Sequence, residues 1–96
     1  MSAYVILDIK VTDPLVYEEY KKLSPAAVAA YGGRFLARGG TIETLEGDWA
    51  PQRLVVLEFE SAARAKQWLD SPEYSQAKKI RHQAALTQTI VVDGVS

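Results

Sequence analysis

Residues 53–60 constrain this chain more than any other stretch, because they alternate like a β-strand and are apolar on both sides. Successive side chains of a strand point to opposite faces, so Val55, Leu57 and Phe59 share one face while Leu54, Val56, Glu58 and Glu60 share the other. A strand that meets water on one side needs only one apolar face. This one asks for cover on both. Residues 3–11 repeat the demand: Val5, Leu7, Ile9 and Val11 alternate with Tyr4, Ile6, Asp8 and Lys10, and Tyr4 and Ile6 make the second face apolar at one end.

Between these strands the sequence writes a helix. Asp13-Pro14 is a start signal, since Asp caps free N–H groups and Pro is tolerated at the first helical position. Glu18 and Glu19 then lie near the positive end of the helix dipole. Val16, Tyr20, Leu23, Ala27 and Ala30 recur at spacings of four and three and predict a core-facing stripe. Pro25 lacks an N–H and crowds the carbonyl four residues back, so a kink or short break is expected near Leu23. Gly32-Gly33 ends the helix.

Residues 34–37 resume extended structure, and Arg38-Gly39-Gly40-Thr41 reads as a bulge in a strand continuing through 42–46. A loop over 47–52 joins it to 53–60 as an antiparallel hairpin. Ser61 caps a second helix with Ala62, Ala65, Trp68 and Leu69 inward, and Ser71-Pro72-Glu73 restarts it so that Tyr74, Ala77, Ile80, Arg81 and Ala84 share a stripe. A last strand covers 86–93.

Strand, helix, strand, strand, helix, strand, with right-handed crossovers, gives an α+β fold: the ferredoxin-like βαββαβ arrangement, a four-stranded antiparallel sheet with helices on one face. Tyr4, Ile6, Leu36, Leu54 and Val56 then lie on the face with no helix. At about 1.5–3 kcal/mol per buried side chain, a second sheet laid on them gains on the order of 10 kcal/mol before association costs. The expected partner is a second copy of the chain, sheet against sheet.

Composition narrows the rest. A chain of 96 residues that is 48% hydrophobic makes one domain, 1–96, with a core large enough to do without staples. Eleven Lys and Arg against twelve Asp and Glu leave a net charge of −1, so no global field attracts nucleic acid. The candidate sheet face also lacks the exposed aromatics and basic surround of RNA-recognition sheets. Cysteine is absent, which removes thiol catalysis and thiolate metal sites. The N-terminus lacks a secretory signal and no apolar run approaches the about 20 residues of a membrane helix, so a cytoplasmic protein without membrane contact is expected.

Taken in order, residues 4–14, Tyr17-Glu-Glu-Tyr20, Tyr31-Gly-Gly, Phe35-Leu-Ala-Arg-Gly-Gly40, Leu45-Glu-Gly47, Arg53-Leu-Val-Val, Glu58-Phe59, Ala65-Lys-Gln-Trp68 and Ser71-Pro-Glu-Tyr74 resemble the domain-of-unknown-function family thirteen-thirty over nearly the whole chain. That resemblance implies the dimeric α+β barrel superfamily, which includes muconolactone isomerases and antibiotic-biosynthesis monooxygenases. It carries no general reaction to this chain.

The chemistry-bearing residues each admit two readings. His82 is the sole histidine, suited to proton transfer near neutral pH, yet it follows Arg81 near a helix C-terminus where cations complement the dipole anyway. Glu58 and Asp8 enter the second sheet face, where Arg38 is the expected counter-ion: either Glu58 is a raised-pKa acid or base beside an anion clamp, or the three form a polar network that specifies the dimer, which is the favoured reading. Tyr20, Tyr31, Trp68 and Tyr74 pack toward the sheet or line a pocket for a small molecule between sheet and helices. Trp49, in its loop, is expected to contact the partner subunit. No metal or nucleotide motif is present, so any enzyme here is expected to be cofactor-free, with His82 or Glu58 as acid or base and Arg38, Tyr20 or Tyr31 polarising an anionic or carbonyl-bearing substrate. The competing expectation is a non-catalytic interaction module.

Overall fold

A computed structural model describes residues 2–95. The elements run β1 (Ala3–Val11), α1 (Pro14–Ala30), β2 (Arg34–Arg38), β3 (Arg53–Phe59), α2 (Ala62–Leu69), α3 (Pro72–Ala84) and β4 (Ala85–Asp93). The strands form one antiparallel sheet in the order β2-β3-β1-β4, and this is the ferredoxin-like βαββαβ arrangement, with the second helix delivered as two pieces. The division falls where the sequence restarts it: the Ser71 hydroxyl accepts from the Tyr74 N–H and donates to the Trp68 carbonyl, closing one helix and opening the next.

Period-two alternation decides the faces. Val5, Leu7 and Ile9 of β1 and Val55, Leu57 and Phe59 of β3 are buried, and with Tyr17, Tyr20, Ala27 and Val28 of α1, Ala65 and Trp68 of α2, and Tyr74 and Ala77 of α3 they make the core. Among the described residues no helix covers the opposite face. Strand register lines up Ala37, Val56, Ile6 and Ile90 in one apolar row across all four strands, with Leu54 on β3 and Leu86 and Val92 on β4 extending the same face. Leu86, Ile90 and Val92 are exposed, the first two by 60% or more.

Three local expectations change. The core stripe of α1 is rotated: Tyr17, Tyr20, Ser24, Ala27 and Val28 are buried while Leu23 and Ala30 are exposed, because α1 packs sideways on α3 as well as down on the sheet. Glu18 and Glu19 lie beyond the first turn, where they pair with Lys21 and Lys22. The second strand stops at Arg38, so 39–52 is irregular, and the bulge falls between Phe35 and Ala37, earlier than the glycines suggest.

The glycines serve a different purpose. Gly39 has φ +71°, and a Cβ there would collide with the Arg53 guanidinium, which packs against its backbone. Pro25 does not break α1 either. A proline at this position deprives the Lys21 carbonyl of its helical donor, and Arg38 Nη2 from the end of β2 donates to that same carbonyl at 2.7 Å.

Candidate functional site

The residues singled out by the sequence separate into three places. Glu58 lies on the open sheet face, partnered by Arg34 directly across the β2–β3 ladder, Nε to Oε1 at 2.6 Å. That hydrogen bond holds the Glu58 carboxyl below its ordinary pKa, the opposite of a raised-pKa acid. Asp8 shares the face but sits opposite Leu54, whereas Glu58 sits opposite Tyr4, so the two carboxylates are separated along the strands and need no common counter-ion. Asp8 instead accepts from Trp49 Nε1 at 2.9 Å, which lays the 39–52 loop against its own sheet. Arg38 is on the helix side, stacked over the Phe35 ring and bonded to α1. The expected Arg38–Glu58–Asp8 network therefore does not form. Alternation places Glu58 and Asp8 on the open face, and the sheet itself stands between them and Arg38.

His82 and Tyr31 form no common centre with them. His82 is exposed on the outer side of α3, in a shallow hollow with Asp70, Ser75, Lys78 and Lys79. Partial burial, then the charges of Arg81 and Lys78, lower its pKa. The Tyr31 hydroxyl donates to Glu73 Oε1 at 2.8 Å near the surface, which lowers the Glu73 pKa and raises that of the phenol.

Tyr20, Trp68 and Tyr74 do come together, and they bring a residue that sequence reasoning missed. Trp68 stacks between Phe59 and Tyr74, with ring centroids 5.4 and 4.4 Å away. The Tyr20 and Tyr74 hydroxyls are 2.7 Å apart, and Arg81 Nε donates to the Tyr74 oxygen at 3.2 Å. Tyr74 is fully buried and Arg81 is 3% exposed. A signal for Arg81 was present: it occupies a core position in the α3 stripe, where charge is costly unless something answers it. Nothing answers it with charge. Among the described residues no carboxylate lies within salt-bridge distance of Arg81.

A second phenol–guanidinium pair lies along α1. Arg53 Nε donates to the Tyr17 hydroxyl at 3.0 Å and its guanidinium lies over the Tyr17 ring, while Tyr17 and Tyr20 are tilted against each other at 5.3 Å. Burial raises the pKa of Tyr17 and, far more, of Tyr74, in each case against the opposing pull of an arginine. Tyr17 and Tyr74 therefore stay protonated at physiological pH and can donate but not act as bases. Between Arg81, Tyr74 and Tyr20, one guanidinium N–H and two hydroxyl protons share two phenol oxygens, so one donor is always left over. The chemistry on offer is donation toward an oxygen carrying negative charge. Among the described residues no three His, Asp or Glu side chains gather to hold a metal ion.

The comparisons agree with this architecture. The family model described as Domain of unknown function (DUF1330) matches residues 2–95. A protein of unknown function from Rhodopseudomonas palustris superposes with a TM-score of 0.77 at 19% identity, over 99% of this chain and 83% of its own. SnoaB from Streptomyces nogalater, a cofactor-independent oxygenase, superposes with a TM-score of 0.66 at 12% identity, over 99% and 94% of the two chains. At these identities the likeness is one of fold. A search of curated proteins finds no match.

Proposed function

Since the chain belongs to the DUF1330 family, which brings a fold and no reaction, we propose that it is a cytoplasmic homodimer, sheet packed on sheet, that binds a small anionic or carbonyl-bearing metabolite between sheet and helices. The observation that carries this reading is the buried Arg81 guanidinium, which meets the Tyr74 phenol and no carboxylate among the described residues, in a network of more donors than phenol oxygens. An uncompensated buried charge is expensive, and a ligand oxygen received by Arg81, Tyr74 and Tyr20 removes that expense. The site offers donors and no base, so catalysis here takes the form of stabilising negative charge as it develops on the substrate, without a cofactor. SnoaB, of the same fold, is a cofactor-independent oxygenase, which is compatible with that chemistry.

The dimer follows from the open face. Tyr4, Ile6, Leu54, Val56, Leu86, Ile90 and Val92 are worth about 1.5–3 kcal/mol each on full burial, enough to exceed an association cost of about 4–15 kcal/mol when most are covered. The Arg34–Glu58 pair on that face supports the second reading, in which polar groups there specify the dimer and do no chemistry.

Native mass spectrometry of the purified protein, with thermal unfolding in acetate and benzoate, tests both parts. The expected mass is twice that of the 10.6 kDa chain, and the carboxylates raise the melting temperature of wild type but not of Arg81→Met. A monomer overturns the dimer. Equal response of the two proteins overturns the anion site.

A further inference from the structure

β2 and β3 are direct neighbours in the sheet, yet residues 39–52 separate them in the chain without regular structure. Adjacent antiparallel strands need only a few residues to turn, and an irregular connection of this length is usually functional. This one is built. The Gly39 N–H donates to the Leu54 carbonyl and the Val11 N–H donates to the Gln52 side chain. At the tip the Thr44 hydroxyl donates to the Trp49 carbonyl at 3.0 Å, closing a turn that passes through Gly47 at φ +82°. The Trp49 indole N–H then donates to Asp8 on the open face at 2.9 Å. Held in this way, the tip still turns its two large apolar side chains to solvent: Leu45 is 90% exposed and Trp49 60%.

We infer that the 44–49 tip is an arm that lies on the open face of a second copy of this chain, burying Trp49 and Leu45 against the partner. Asp8 is two residues along β1 from Ile6, about 7 Å, and Ile6 belongs to the apolar row with Ala37, Val56 and Ile90. Sheets packed face to face stand about 10 Å apart. An indole held on Asp8 therefore occupies the layer that a second sheet fills, and Leu45 comes with it through the bond from Thr44 to Trp49. Charge favours the same occupant. Residues 39–52 hold Glu43, Glu46 and Asp48 and neither Lys nor Arg. On the open face Arg34 is paired with Glu58, while Lys10 is exposed and enters no ion pair among the described residues. An acidic tip thus meets a complementary charge in the partner's Lys10. The arm rests on the sheet-on-sheet dimer proposed above and adds to it a contact that can be removed separately.

Fluorescence and mass test it together. Trp68→Phe keeps an aromatic ring between Phe59 and Tyr74 and leaves Trp49 as the only tryptophan. Its emission is expected to be blue-shifted in the dimer and to move red on dilution, with the midpoint that analytical ultracentrifugation gives for dissociation. In wild type, Leu45→Asp should leave the circular dichroism unchanged and weaken the dimer at least tenfold, the worth of one leucine taken out of water. Leu15→Asp, which adds the same charge at a similarly exposed position on α1, should dimerise like wild type. Trp49 emission that does not change on dissociation, a Leu45→Asp dimer as tight as wild type, or equal weakening by Leu45→Asp and Leu15→Asp would each overturn the arm and leave the dimer standing. A wild-type protein that is monomeric by mass at every concentration overturns the dimer itself, and the arm with it.

Discussion

The two faces of the sheet are built from the same alternating strands and end in opposite conditions. On the helix side Val5, Leu7, Ile9, Val55, Leu57 and Phe59 are sealed, and the polar groups among the helices above them, Tyr20, Tyr74 and Arg81, are bonded to one another. On the far side Ile6, Val56, Ile90 and Val92 have no cover, and the charged groups are met one by one: Glu58 by Arg34, Asp8 by Trp49. Each face lacks what the other has in plenty. The closed face holds a positive charge without an anion, and the open face holds apolar surface without a partner. One deficit is of the size of a small molecule and the other of the size of a protein.

The largest effect should come from charging the open face. Val56 is the centre of its apolar row, paired with Ile6 and Ala37, so Val56→Asp puts an unpaired carboxylate where the second sheet packs. Burying such a charge costs several kcal/mol, and dimer dissociation should rise by more than about a thousandfold. Light scattering after size exclusion checks this, with folding monitored by circular dichroism. A folded Val56→Asp protein of unchanged mass would show that the open face is not the dimer contact.

The next effect separates the faces within one subunit. Trp68→Ala empties the stack between Phe59 and Tyr74 and should cost about 3–5 kcal/mol of unfolding free energy by urea denaturation. In a Val56→Asp background, which isolates the subunit, Ile90→Ala on the exposed face should cost less than about 0.5 kcal/mol. Comparable costs at the two positions would mean that Ile90 is covered within its own chain.

These contrasts show where the sequence was legible. Alternation is a local property, so β1 and β3 and their faces could be read directly, and so could the caps, because Asp13, Ser61 and Ser71 act within three residues of themselves. Pairings across elements could not. Whether Glu58 meets Arg34 or Arg38 depends on which side of the sheet each arginine leaves, and that turns on a one-residue bulge between Phe35 and Ala37. The rotation of α1 depends on α3, and the hydrogen bond between Tyr20 and Tyr74 joins residues 54 apart in the chain. Arg81 was visible as a charge at a core position; what it faces was not.

Arg38 supplies a smaller and sharper test. If it serves to occupy the Lys21 carbonyl that Pro25 leaves without a donor, Arg38→Ala should cost about 1 kcal/mol in wild type and close to nothing in Pro25→Ala, where the backbone N–H returns. A double-mutant cycle by urea denaturation measures the coupling. Additive effects would return Arg38 to the anion-clamp role that its sequence position suggests.

The smallest effect belongs to His82, and it reports on the closed face from outside. Burial comes first among the causes that lower its pKa, followed by the charges of Arg81 and Lys78. Because the folded protein releases this proton more readily than the unfolded chain, the unfolded state binds more protons once pH falls below about 6.5. Stability therefore declines as pH falls from that value through the folded pKa, and His82→Gln should flatten the decline. Removing the Arg81 charge should raise the His82 pKa toward its ordinary value, and so should an anion bound beside Arg81 in wild type, since either takes away repulsion between two cations. Imidazole titration by NMR is unambiguous here, His82 being the only histidine. A His82 pKa indifferent to Arg81→Met would mean that the guanidinium charge is already neutralised, and with that the deficit on the closed face, and the reason for a ligand there, would be gone.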